Sequence, residues 1–487
     1  MSLTAAIRTA QSSLLNTALQ TVVTSRNIAE ASNENYVRRD ALLVSSDSGA
    51  RVVSILRATD KKLLWDGLQA LADSNAQSVI SEGADRMQRL INGVDNTTSP
   101  STLLANFEDA LQLYSSDSSN TLLATSVIDY AKELSDGLNS SSLALQSYRA
   151  EIDEDIELAV GELNDLLAKF KDVNDEVVKG TITKADVNDA LDERDALLKE
   201  ISQYVSVSAV QRDNNDLALF TSQGVTLFET IPRAVTFDAQ TVYTPATTGN
   251  AIRIDGVPVI GGVGANSNAS GKLAAMVQMR DGVAVDMQSQ LDEIARSLVT
   301  IFAETDTSGG GGPDLAGLFT WSGGPAIPPA GTLETGMAMS LAVNPLFDPA
   351  VGGDPELLRD GGANGAAYVA NAAGTAGYAD NLIGYLEAMG DPVATDITAG
   401  IAGTFSISGY ADSSLGWLES LRSRAANAAD SKAALHERLN TALLSQTGVN
   451  IDEEMAILID LEQAYQASAR IVQAVDEMMQ SLLNSVR

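Results

Sequence analysis

The sequence predicts a multidomain, mainly α protein. Paired N- and C-terminal helices, forming coiled-coil arms, and a helical bundle are expected to flank an inserted mixed α/β outer region. Three observations carry this: amphipathic stripes at both ends of the chain, helical texture from 60 to about 200, and a switch after residue 203 to two-residue alternation followed by Gly-, Ala- and Pro-rich sequence. The 487 residues suffice for about three domains of roughly 150 residues each and for at least one sizeable core.

Residues 3–29 read as an amphipathic helix, with Leu3, Ile7, Leu14, Ala18, Val22 and Ala29 at steps of four or seven and with Thr17, Thr21 and Thr24 diluting the stripe. The segment 36–59 reads as two strands around a hairpin signal at Asp47, Ser48 and Gly49. Helical pattern then runs to about 200, broken at 92–101, 114–120 and 179–187. In the last break, Thr183 and Asp186 have the spacing of a helix N-cap leading into "NDALDERDALLKEIS". From Tyr204 to about 262 the chain reads as antiparallel strands with a turn at Asp213, Asn214 and Asn215, and 271–306 returns to helix despite Gly282. Residues 313–415 are expected to be irregular with short elements, and helix resumes near Ser413 with one break at 445–450.

The C-terminal stripe is the most regular in the chain. At alternating steps of three and four from Leu458 it reads Leu458, Leu461, Tyr465, Ser468, Val472, Val475, Met479 and Leu482, all apolar but Ser468, the pattern of a coiled-coil seam or bundle face. Chain tips usually fray. Two incomplete seams at opposite tips therefore predict that the chain ends meet and that the paired arm is finished by neighbouring subunits.

The net charge is -33, distributed as +1 over residues 1–60, -5 over 448–487 and -29 between them. Such a balance disfavours nucleic acid and anionic membranes and suits a solvated outer surface. With no cysteine and one histidine, disulfides, Cys-based zinc sites and Cys nucleophiles are excluded. Polar residues interrupt every apolar run near the N-terminus, and no run is long enough to span a membrane, so neither a cleaved signal nor a membrane helix is expected.

Catalytic patterns are weak. His436 lies in a charged helical stretch without a second His or a nucleophile motif. Glu453 and Glu454 stand with Asp452 at a helix start, where carboxylates complement the dipole. "RDNNDL" (212–217) lacks the Gly and terminal Glu of a calcium loop, and the Gly-rich runs lack a Gly-Lys-Ser/Thr. No catalytic, cofactor or metal residues are assigned, and no enzyme activity is expected.

"GVNIDEEMAILIDLEQAYQASARIVQAVDEMMQSLLN" (448–484) closely resembles the C-terminal segment of flagellar axial proteins, above all the hook-associated protein 1 family. "DVNDALDERDALLKEISQYVSVSAVQRDNNDLALFTSQGVTLFE" (186–229), with Leu191, Asp192, Arg194 and Asp195, and "SGKLAAMVQMRDGVAVDMQSQLDEIARSLVTIFAE" (270–304) are similar to internal segments of that family. These are the more specific matches, because hook, rod and junction proteins share only the termini. At the N-terminus "SRNIAEASNENYVRRD" keeps Asn27, Ile28, Ala29 and Tyr36 of the axial pattern but has no Pro-Gly turn. The helix exit is expected to use Asn33 or Asn35 in a left-handed conformation.

The resemblance implies a structural adaptor of the bacterial flagellum, extracellular at the hook–filament junction and exported by the type III apparatus with an export chaperone. Its implied partners are copies of itself in a ring, the hook protein and the second hook–filament junction protein. The assembly interface is expected at Leu3, Ile7, Leu14, Ala18, Val22, Asn27, Ile28, Ala29 and Tyr36, and at Leu458, Leu461, Tyr465, Val472, Val475, Met479 and Leu482. The arms are expected to be loosely held in the free subunit and to fold as neighbours complete their seams. The alternatives are another axial subunit, or an acidic extracellular adhesin-like binding protein. The expected organisation is an N-terminal axial arm at 1–60, a helical bundle at 61–202, an outer region at 203–412 with helix 271–306 assigned there or back to the bundle, a bundle return at 413–447 and a C-terminal axial helix at 448–487.

Overall fold

A computed structural model describes residues 3–46, 49–259 and 270–485. The expected turn at Asp47 and Ser48 and most of the glycine-containing loop at 261–271 lie outside the described residues. Long helices dominate. The N-terminal part holds α1 (Leu3–Ala29), a hairpin of β1 (Arg39–Ser46) and β2 (Gly49–Arg57), and then α2 (Lys61–Asn92), α3 (Pro100–Ser116), α4 (Thr121–Thr183) and α5 (Asn188–Tyr204). Two three-stranded antiparallel sheets follow, β3 (Val207–Gln211) to β5 (Thr226–Phe228) around β4 (Leu217–Thr221), and β6 (Val235–Thr236) to β8 (Val257–Val259) around β7 (Ile252–Ile254). Then come α6 (Lys272–Gln278), α7 (Ala284–Ile301), the short helices α8 (Met337–Ser340), α9 (Leu357–Asp360) and α10 (Asp380–Gly390), and finally α11 (Ile407–Thr447) and α12 (Ile451–Ser485).

Helix boundaries follow local chemistry. Ser99 caps α3 by accepting from the Thr102 N–H at 3.1 Å, with Pro100 at the first helical position, where its missing N–H costs nothing. Asp60 accepts from the Leu63 N–H at 3.0 Å to start α2. Asn450 does the same for Asp452 at 3.1 Å at the head of α12. Thr183 departs from its expected role: it is the last residue of α4, its hydroxyl donating back to the carbonyl of Lys179 at 3.0 Å, so it closes one helix instead of opening the next. Asp186 takes over at the other side, accepting from the Asn188 N–H at 3.0 Å.

The chain divides into two compact units, one of residues 1–74, 162–234 and 431–487, the other of 75–161 and 235–430. In the first, α1 packs along α12 and beside the hairpin. The helix exit after Ala29 differs from expectation, since neither Asn33 nor Asn35 has positive φ. The Asn33 side chain makes the turn at ordinary φ: its Oδ1 accepts from the Asn35 N–H (3.1 Å), its amide donates to Glu30 (3.0 Å), and its carbonyl accepts from the Tyr36 N–H (3.0 Å). Left-handed asparagines do occur at the β3–β4 turn, Asn214 at φ 58° and Asn215 at φ 62°, where the sequence placed a turn. Phe170 of α4 meets Phe228 of β5 edge to face at 5.1 Å.

In the second unit, Phe107, Phe302 and Phe319 form an edge-to-face trio with centroids 5.3 to 5.5 Å apart. The expected helix at 271–306 is interrupted by a π-helical stretch, Met279–Val283, containing Gly282, and it ends at Ile301. That bulge places Arg280 against Asp153, both fully buried, and Asp153 also accepts from the Tyr243 hydroxyl at 2.9 Å. Further on, buried Glu304 accepts from the N–H groups of Ala363 (2.9 Å) and Asn364 (2.8 Å). It fixes a loop that passes through Gly361, Gly362 and Gly365 at φ 71°, 98° and 104°, values that favour glycine. The Gly- and Ala-rich stretch is thus irregular but ordered by backbone-to-carboxylate bonds.

Candidate assembly interface

The terminal arms pair antiparallel, Ser13 facing Ser468 at one end while Thr24 and Asn27 flank Glu454 at the other. The contact seam mixes small and polar residues with the apolar Leu461 and Val475. On α1 it buries Ala10, Thr17, Thr24 and Asn27, and on α12 it buries Glu454, Leu461, Ser468 and Val475, every seventh residue. Burial pushes the Glu454 carboxyl above its ordinary value, against the pull of hydrogen bonds to Asn27 and Thr24.

Several larger apolar residues nevertheless stay exposed. Leu15, Leu19 and Val22 of α1 and Ile459, Ile471 and Met478 of α12 are each between 49% and 68% exposed. Two helices that bury Thr17, Thr24 and Ser468 and leave these six apolar side chains outside present an uncovered apolar surface.

Of the residues expected at the interface, Asn27, Tyr36, Leu461 and Val475 are buried within the chain. Leu3, Ile7, Leu14, Ile28, Leu458 and Val472 are half-buried, and Ala18, Val22, Ala29, Tyr465, Met479 and Leu482 are exposed. Sequence reasoning missed Thr17, Thr24, Glu454 and Ser468 as members of the inner seam. Their signal was a seven-residue spacing of small polar residues running beside the apolar stripe.

The foot of the arm is a polar joint. Asn27 Oδ1 accepts from the Tyr36 hydroxyl at 2.8 Å and from the Arg39 N–H at 3.1 Å, and its amide donates to the Arg39 carbonyl at 2.9 Å. One side chain thereby locks the helix to the first residue of β1. The outer edge of β2 is held by α1 as well: Asn16 bonds the carbonyl of Ala50 and accepts from the Val52 N–H (2.9 Å), and the Ser12 hydroxyl donates to Ala50 (2.9 Å). These side chains occupy backbone groups that an edge strand would leave open.

Below the hairpin, α5 presents carboxylates to arginines from the strands. Buried Arg39 pairs with Asp192 at 2.9 Å and with Asp189, while Arg57 pairs with Asp192 and Asp195, each at 2.7 Å. Burial pushes Asp192 up while Arg57 and Arg39 pull it down. Asp189, which burial alone would raise, is held below its ordinary value by hydrogen bonds from Arg26 and Arg39. Arg194 turns away to Asn174 (3.0 Å) and the Asn215 carbonyl (2.6 Å), and desolvation lowers it to about 10. The internal motif and the N-terminal hairpin, far apart in sequence, thus form one joint.

A family model described as the flagellar hook-associated protein FlgK helical domain matches residues 84–317, and one described as the flagellar basal body rod FlgEFG protein C-terminal matches 441–485. Flagellar hook-associated protein 1 of Bacillus subtilis is 21% identical, the match spanning 95% of this chain and 94% of that protein. Its namesake from Salmonella typhimurium is 24% identical over 44% of this chain and 40% of the relative. The solved structure of the flagellar hook junction protein FlgK from Burkholderia pseudomallei shares the fold with a TM-score of 0.58 at 12% identity, covering 78% of this chain and 99% of its own. With the helical body and the terminal arm each matched separately and one relative aligned almost end to end, the chain is similar to the flagellar hook-associated protein 1 family along nearly its whole length.

Proposed function

We propose that the protein is a structural adaptor at the hook–filament junction whose subunits are joined by their terminal arms. The observation that carries this is the make-up of the arm pair, which buries Thr17, Thr24, Glu454 and Ser468 while Leu15, Leu19, Ile471 and Met478 stay exposed. Such a pair is weakly held in a free subunit. Ordering each arm residue costs about 1–2 kcal/mol of backbone entropy, which burial of Leu15, Leu19, Ile471 and Met478 against neighbours would offset. Folding of the arms and assembly are then one process.

The internal match at 84–317 favours this over another axial subunit, since the 441–485 match bears a description shared by rod and hook proteins. In this reading the partners are further copies in a ring, the hook protein on one side and the second junction protein on the other, after type III export with a chaperone. The role is structural rather than catalytic.

The test is electron microscopy of cells lacking the protein, with flagellin assayed in the medium. Bare hooks with flagellin lost to the medium are expected. Intact filaments would contradict the proposal and leave the adhesin-like alternative.

A further inference from the structure

The hairpin β1–β2 is covered on one edge by α1 but exposes several large apolar side chains. Leu42, Val44, Val53 and Leu56 are between 43% and 52% exposed. A two-stranded hairpin is marginal alone, and an uncovered apolar strip on one marks an interaction surface. The strip is continuous with a cavity of about 450 Å³ at the hairpin base, walled by Ile55 and Leu56, by Leu64 and Trp65 of α2 and by Leu443 and Leu444 of α11.

The charges along this surface are mostly cationic once internal pairs are removed. Arg51 is exposed on β2, and Lys61 and Lys199 line the cavity, while Asp192 and Asp195 are engaged by Arg57, exposed Asp40 lies 3.6 Å from Arg38 and Asp60 caps α2, leaving Glu34 at the rim. In a chain of net charge -33 this is a local exception.

We infer that this surface receives the first half of α12 from a second copy of the chain. The segment from Ile451 has the complementary chemistry. Ile451, Met455 and Ile459, four residues apart and so on one helix face, are 51%, 44% and 52% exposed. Asp452, Asp460 and Glu462 accompany them, Glu453 lies 4.0 Å from Arg38 of its own chain, and no Lys or Arg occurs in the segment before Arg470. The dimensions agree: the nine residues of β2 extend about 30 Å at ~3.3 Å each, and Ile451–Ala469 as helix about 28 Å at 1.5 Å each. Hairpin and α12 are different patches, so the contact is head to tail and propagates round a ring or along a helix of subunits. The inference rests on the self-assembly proposed above and adds a second contact to the arm-to-arm seam.

The absence of cysteine allows a direct test. Cells would express two variants together as their only source of the protein, one carrying Leu56→Cys and the other Met455→Cys, and isolated flagella would be treated with a short bis-maleimide. A species of twice the 51.0 kDa chain mass is expected from the mixture and not from either variant alone, with its yield cut at least fivefold when Arg51→Glu and Lys199→Glu are added to the hairpin copy. Leu42→Cys with Ile459→Cys provides a second pair should one variant fold poorly. Leu15→Cys with Met478→Cys in separate copies reports the arm seam independently. Arm cross-links without either hairpin pair would overturn this inference and leave the proposed function standing, whereas loss of all three pairs would overturn both. Capture of the Leu56→Cys position by a different flagellar subunit, read with a photoreactive maleimide, would overturn the choice of occupant.

Discussion

Ser13 and Ser468, 455 residues apart in the chain, share a hydrogen bond of 2.8 Å between their hydroxyls. That contact shows that the two ends of the chain meet. It also shows how they meet, through hydroxyls at a position where a self-sufficient coiled coil would put leucine.

Asn27 is the most consequential single residue at the arm's foot. Asn27→Ala would leave the Tyr36 hydroxyl and both backbone groups of Arg39 without their partner, at a cost of about 2–4 kcal/mol, whereas Tyr36→Phe removes one bond and should cost about 1 kcal/mol. Urea unfolding of both variants checks the ranking. Equal or inverted losses would contradict the role given to Asn27.

Asp192 joins two buried arginines, so its removal strands charge. Asp192→Ala is expected to destabilise the first unit by about 3–5 kcal/mol, and replacing Asp195, whose partner Arg57 retains Asp192, by clearly less. Chemical denaturation with a probe in that unit, such as Trp65 fluorescence, would resolve the difference.

Asp292 supplies a pH signature in the second unit. Burial pushes its carboxyl up to about 6, although it accepts from the N–H groups of Gly336 and Ala338, both at 2.8 Å, and from Gln288. A carboxyl raised in the folded state binds more protons there than in the unfolded chain between about pH 4 and 6, so its contribution to stability is greatest at low pH and declines as pH rises through 6. The shift corresponds to no more than about 3 kcal/mol. The stability difference between wild type and Asp292→Asn should therefore fall from pH 4 to pH 7 in urea titrations, and a flat or rising difference would contradict this.

Much of the fold was legible because long helices with strong periodicity and Asn- or Gly-centred turns are local events. The hairpin, the β3–β4 turn and the break before α12 fell where the residues put them. The phase of the arms was not legible. A stripe from Leu458 at steps of three and four marks apolar residues, yet Leu461, Ser468 and Val475 turn inward while Tyr465, Met479 and Leu482 stay out, because the partner helix offers Thr17 and Thr24 at its contact positions. Only the partner's register decides which face closes within the chain. Helix termini were similarly underdetermined: Thr183 bonds backward into α4 because a Thr hydroxyl reaches the preceding carbonyls as readily as the following N–H groups. The ion pairs of Arg39 and Arg57 with α5 were invisible because they link residues more than 130 positions apart.

A role of the exposed apolar ridge in assembly is separable from one in folding. Leu15→Asp and Met478→Asp change exposed side chains, so the isolated subunit should unfold within about 0.5 kcal/mol of wild type. The measurement is filament attachment in cells carrying only this double variant, scored by electron microscopy alongside the secreted amount of the protein. Normal secretion with bare hooks is the predicted result. Normal secretion with attached, full-length filaments would contradict the account and make the ridge an ordinary exposed face.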